Sequence, residues 1–232
     1  MYRYTNTLFY PDDVEELRFY SLATSTEYVV YPDQLAGTIY QKAFGGTKWV
    51  VWTILSGLET TIYKYNVLDH ATGMQLVEEV ATGGGEVNDD REEYVASVSL
   101  GTGTLRDLAV WDLNTNTRTM LVDEPWDQVL PDYSGSVVAY LDSQAGSVEA
   151  SGGSGEIRVI DRDTGVKRVV LPFDTYYGVA LWGHFVGVNN FGMWGDSLIV
   201  CNLLEAGIMD AAGHVCPESG CTSPDAGADG GK

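Results

Sequence analysis

A chain of 232 residues with 13 Lys and Arg against 33 Asp and Glu carries a formal charge of −20. That balance excludes the phosphate backbone of nucleic acids and anionic membrane surfaces as partners, and it favours solubility, cationic groups or metal ions. With 44% hydrophobic residues, 11% aromatic and 27 glycines, the sequence predicts one turn-rich all-β domain, and no apolar run approaches the ~20 residues of a membrane helix.

Residues 2–10 alternate as a strand that Pro11-Asp12-Asp13 ends. Met1–Tyr10 lacks a basic end followed by an apolar stretch, so it reads as a strand and not as an export leader. A hairpin follows from Phe19 to Val30, in a unit that lacks an innermost strand. Gly37–Phe44, Trp49–Ile54, Thr61–Val67 and Gln75–Val80 read as the four strands of a second unit. Thr82–Glu86 reads as a loop, whose three glycines have no strand-to-helix context that would make a phosphate cradle. Val87–Glu93 is the densest acidic cluster; without the ordered spacing of a calcium loop it reads as a solvated turn. Further units run through Tyr94–Ser97 and Val110–Thr117, then Val137–Tyr140 and Ile157–Asp174, with Ser143–Glu156 between the last two expected as a mobile polar loop. Tyr177–Trp182, Phe185–Asn189 and Ser197–Asn202 form a last unit with no convincing outer strand.

The clearest copy of the repeat is Ile157–Asp174. Val159-Ile160 ends one strand, Asp163-Thr164-Gly165 supplies a tight turn, and Arg168–Leu171 returns. Aligning the copies on the polar residue that closes the first strand selects Ser21, Asp69, Asp112, Asp161 and Asn202, spaced 48, 43, 49 and 41 residues. A drifting period of this size, with four strands in each unit, predicts a β-propeller of about five four-stranded blades, either a whole ring or a portion of a larger one. A closed ring predicts a monomer. An open one leaves strand edges that associate.

Leu130–Tyr140 followed by Ile157–Gly165 resembles the blade motif of TolB-like β-propellers, in which a Pro-Asp or Ser-Gly turn precedes a Val-Val-aromatic strand and a Tyr-x-Asp-x-x-Thr-Gly hairpin follows. The resemblance covers roughly residues 1–209 and implies a bacterial, exported fold shared by proteins of many tasks. It departs at Arg91–Glu93, where no Gly marks the turn, and at Leu203–Gly207, where the Thr-Gly turn is lost. Residues 210–232 are rich in Asp, Ala and Gly and read as a disordered tail or linker of a kind found in exported proteins. The expected location is therefore periplasmic, cell-surface or secreted.

Cys216 and Cys221, five apart in that segment, are candidates for a small-loop disulfide; Cys201 reads as a core residue. His70, His184 and His214 have no nucleophile motif beside them, and neither a cofactor nor a metal site is expected. The outer-to-inner links and the second-to-third-strand loops share one face of a propeller. That face collects Trp126, Asp127, Phe173, Asp174, Tyr176, Tyr177 and Trp194. Aromatics with flanking acids bind a sugar, a peptide or a cationic group, or else they wedge between blades. The sequence therefore points to a non-catalytic scaffold for a protein or glycan partner. The propeller portion of a peptidase or carbohydrate-active enzyme, and a cell-surface spacer, are the competing readings.

Overall fold

A computed structural model describes residues 3–4, 17–21, 25–31, 39–45, 47–56, 59–70, 72–79, 81–99, 105–143, 148–149, 152–192 and 195–221. These residues form antiparallel sheets. Unit one is β1 (Arg3–Tyr4), β2 (Leu17–Ser21) and β3 (Thr26–Tyr31). Unit two is β4 (Ile39–Gly45), β5 (Trp49–Ser56), β6 (Glu59–Asn66) and β7 (Met74–Glu79). Unit three is β8 (Ala81–Asn88), β9 (Glu93–Ser99), β10 (Asp107–Asp112) and β11 (Arg118–Val122). A seven-stranded sheet then holds β12 (Asp127–Ser134), β13 (Val137–Ser143), β14 (Val148–Glu149), β15 (Gly152–Asp161), β16 (Lys167–Trp182), β17 (Phe185–Gly192) and β18 (Gly195–Asn202); unit four is β12 to the first half of β16, which pairs with β15, and unit five is the second half of β16, which pairs with β17, to β18. Among the described residues no helix is long and apolar enough to cross a membrane.

The innermost strands lie side by side in order: β4 against β8, β8 against β12, β12 against β16. Unit three and the unit after it are therefore covered on both faces, and their strands read as continuous apolar runs because alternate residues face different neighbours. In β9 and β10, Tyr94, Ala96, Val98, Ala109 and Trp111 pack on Trp49, Val51 and Ile62 of unit two. Val95, Leu108 and Val110 pack the other way, on Tyr133, Val138, Tyr140 and Ile160. Val137, Ala139, Leu141, Ile157 and Val159 then meet Leu181, Val186 and Val188. Each such fully buried Val or Leu contributes roughly 1.5–3 kcal/mol.

One turn geometry repeats. Asn66, Asp112, Asp161 and Asn202 each close a third strand, and the Oδ1 of each accepts the amides two and three residues on. The next residue donates its amide to Lys48 O, Glu92 O, Ser136 O or His184 O across the first turn of the same unit. The second unit is therefore aligned on Asn66, not on Asp69, because a side chain must sit at the strand end to cap the turn amides. Glu92 takes a φ of 55° in the turn without glycine, where the next two units use Gly135 at 58° and Gly183 at 59°.

Three further expectations change. Thr82–Glu86 is not a loop but part of β8, with a bulge between Thr82 and Gly85. A Cβ on Gly85 would sit 2.2 Å from Val95 O, so close strand approach, not loop freedom, requires glycine there. Pro172–Tyr177 is not a link between blades: β16 runs unbroken for 16 residues, pairing with β15 and then with β17. Part of the expected polar loop is also strand, since β15 starts at Gly152 and pairs β14.

The expected tail departs most. Ile208, Met209, Val215 and Cys216 are buried, with the first three in the core of the last two units. Arg168 Nη1 donates to Cys216 O and Pro217 O at 3.1 and 2.9 Å. Folded chain thus extends past 209 to Cys221, because four apolar side chains among the polar residues find a slot at the sheet end. Cys216 and Cys221 are joined by a disulfide.

Candidate functional site

One end of unit four, where β12 begins and β13 ends, carries the exposed aromatics of the expected face. Trp126 stands just ahead of β12 and is 42% exposed; Phe173 on β16 is 52% exposed. Three strand spacings in the sheet separate β12 from the first half of β16, which carries Phe173, on the order of 14 Å at about 4.8 Å each.

A fixed charged network lies below them. Asp142 is fully buried, with Arg158 Nε 3.0 Å from its Oδ2. Arg158 also meets Glu156 at 2.8 Å and Glu124 at 3.7 Å, and Glu124 takes Lys167 Nζ at 2.6 Å. Three carboxylates share two cations. Burial pushes the Asp142 carboxyl above the ordinary range, and the Arg158 charge opposes that shift. Gln128, also fully buried, donates from Nε2 to Trp126 O at 2.6 Å and fixes the loop that presents the indole. Its Oε1 has no partner among the described residues.

The other predicted residues divide. Asp127 is 7% exposed and its Oδ1 accepts Arg106 N at 2.8 Å, while Gln128 N donates to Arg106 O at 2.7 Å. It joins unit four to unit three and does not face a ligand. Its charge and that of Asp123 assist burial in pushing Asp107 upward. Tyr176 is 2% exposed, packs in the core with Leu181 and Val186, and donates its hydroxyl to Pro172 O at 2.6 Å. It is a wedge, as large aromatics at sheet seams usually are. Tyr177 is half-buried, and Asp174 is exposed and accepts Thr175 N at 2.8 Å. Trp194 and its neighbour Met193 lie outside the described residues.

The opposite end of the sheets holds what the sequence did not suggest. Asp161, fully buried, accepts Asp163 N and Thr164 N on Oδ1. Its Oδ2 accepts Val215 N at 3.1 Å and lies 3.0 Å from His214 Nδ1. Arg91 of unit three holds Asp163 through two hydrogen bonds at 2.6 and 3.1 Å, and lowers its carboxyl below the usual range. Asp161, Asp163 and His214 are the metal-ligand types that cluster among the described residues. Their oxygens are already spent on amides, on Arg91 and on the imidazole, which is the pattern of a structural clasp. Beside it, a cleft of about 380 Å³ lies between Ser136, His184, Leu204 and the Met209–His214 turn. The repeat position of Asp161 was visible in the sequence; its partner His214, in a segment that reads as tail, was not.

No protein-family model matches the sequence, and no curated protein matches it. Solved structures match the fold. TolB from Acinetobacter baumannii aligns with a TM-score of 0.52 at 12% identity, over 81% of this chain and 49% of that one. A prolyl endopeptidase aligns at 0.56 and 14%, over 92% of this chain and 31% of its own. A chain of the nidogen/laminin complex aligns at 0.56 and 11%, over 84% and 71%. The chain therefore has the β-propeller fold of TolB-like proteins, and it spans about half the length of the TolB it matches.

Proposed function

We propose that this chain is a non-catalytic, exported propeller of five blades that binds a protein partner at the Trp126 and Phe173 end of its fourth blade. The observation that carries this reading is the pair of exposed aromatics held some three strands apart over a rigid acidic network. Aromatics that are anchored by their backbone lose little entropy on binding and make good hot spots. The surrounding charge selects partners with basic groups. Each histidine is already engaged: His70 with Tyr65 and Tyr28, His184 against Phe185, His214 with Asp161. That engagement supports a reading without catalysis. The disulfide supports an oxidising location. Propellers solved among the fold neighbours include one from a protein complex, nidogen with laminin, and one from a prolyl endopeptidase.

Panning a random peptide display library on the protein tests the reading. Selected peptides should be rich in Lys and Arg. The double variant Trp126→Ala, Phe173→Ala should lose them by at least about thirtyfold, two such anchors each being worth over about 1 kcal/mol, with the melting temperature unchanged within error. Peptides that bind the double variant equally would sink it. Binding to a glycan array in place of peptides would establish the carbohydrate reading instead.

A further inference from the structure

The charge network beneath Trp126 is one positive charge short. Asp142, Glu124 and Glu156 are held by Arg158 and Lys167, three carboxylates to two cations. Glu124 and Glu156 keep 27% and 23% of their side chains in solvent, where a charge is hydrated, whereas Asp142 keeps none. A proton taken up by this cluster therefore goes to Asp142, since burial penalises the ionised form, and burial does push this carboxyl above the ordinary range. On its own sheet Asp142 faces Arg158, Glu156, Tyr140 and Gln128, with Glu124 reaching in from the link ahead of β12. The strands of unit three that pack on this seam present Val95, Leu108 and Val110, none of them charged.

The Gln128 amide is the element with two settings. Its Nε2 donates to Trp126 O at 2.6 Å and stands 3.5 Å from Asp142 Oδ1, so its nitrogen faces both oxygens. That setting suits an ionised carboxylate, which only accepts. It leaves Oε1 buried and without a partner among the described residues. A protonated carboxyl reverses the need, because its O–H is a donor and a buried donor left unpaired is costly. Turning the amide over presents Oε1 to that O–H and takes Nε2 away from Trp126 O. We propose that protonation of Asp142 turns the Gln128 amide and frees the Trp126 loop, so that Trp126 is set at neutral pH and released in acid. As regulation of partner binding this rests on the reading of Trp126 as an anchor; as a movement of Trp126 it does not.

Acrylamide quenching of the full chain, less that of Trp126→Phe, reads the exposure of Trp126 from neutral pH down to the ordinary aspartate pKa of about 3.9. Quenching should rise through a single midpoint above that value. Peptides selected at neutral pH should weaken about two- to tenfold over the same range, the worth of one hydrogen bond. Asp142→Asn, uncharged at every pH and a donor through its amide, should show the acid-state quenching at neutral pH with no midpoint. Glu156→Gln, which removes a like charge from beside Asp142, should move the midpoint to lower pH. Thermal melts show that each variant is folded. Flat quenching in the wild type overturns the proposal, as does a midpoint that persists in Asp142→Asn or stays in place in Glu156→Gln. A switch in quenching with no peptide bound at any pH would overturn the anchor reading alone. Peptides bound equally across the range, without a change in quenching, would overturn the switch and leave the anchor.

Discussion

Units four and five are built from the same repeat, yet their middle strands have opposite fates. In unit four, Ile157 and Val159 are wholly buried; at the same positions of unit five, Leu198 and Val200 are largely exposed. Side-chain type, strand propensity and turn capping agree between the two units. What differs is that unit five packs on unit four, whereas no other described sheet packs on this face of unit five. Burial in a stacked-sheet fold is thus a property of neighbours, and a strand whose both faces are apolar announces two neighbours without supplying them.

The sharpest way to break this comparison is truncation at the paired positions. Ile157→Ala should cost roughly 2–5 kcal/mol by denaturant unfolding, since a buried cavity remains. Leu198→Ala, measured at concentrations too low for association, should cost less than about 0.5 kcal/mol. Equal costs would show that the unit-five face is covered within one chain. The turn caps offer the next contrast. Asp161→Ala strands the part-buried amides of the hairpin and the buried amide of Val215, for about 2–3 kcal/mol. Asn202→Ala releases only amides that lie near the surface, for about 1 kcal/mol or less. Urea midpoints of the two variants decide the order.

The smallest effect concerns a seam that contains a charge. Lys64 is 2% exposed between units two and three, donates to Leu113 O and lies 5.1 Å from the Trp49 ring centre. Burial lowers its pKa below the ordinary lysine value, with Asp112 opposing. A depressed lysine contributes most when neutral in both states, above its unfolded pKa, and that contribution falls away as pH drops through the folded value. Lys64→Met should therefore leave stability at pH 7 within about 1 kcal/mol. It should also abolish the part of the wild-type gain between neutral and alkaline pH that Lys64 supplies. Parallel pH profiles for variant and wild type would contradict this account.

Much of the candidate site was beyond local reasoning. Trp126 and Phe173 are both exposed aromatics in Pro-aromatic-Asp runs, but the first stands just ahead of β12 and the second lies within β16. Tyr176 and Asp127 carry the same signals and are buried, one as a wedge and one as an acceptor for Arg106. Nothing within a few residues distinguishes the two cases. The link over 172–177 misled for a related reason: Pro172 and Asp174 are turn residues by propensity, but pairing with Gly153–Gly155 and then with β17 keeps them extended.

By itself the sequence determined the all-β class, the repeated strand–turn–strand unit, the polar caps Asp112, Asp161 and Asn202 at the ends of third strands and the acidic charge. Those are short-range matters of alternation, turn chemistry and charge, and neighbouring residues suffice to set them. Only the tertiary structure decided which aromatics face solvent, that residues 210–221 fold back on the core, that Asp161 and His214 meet across 53 positions, and which sheet face stays open. Each of these depends on contacts between distant repeats, where the same residue is core or surface according to what packs against it.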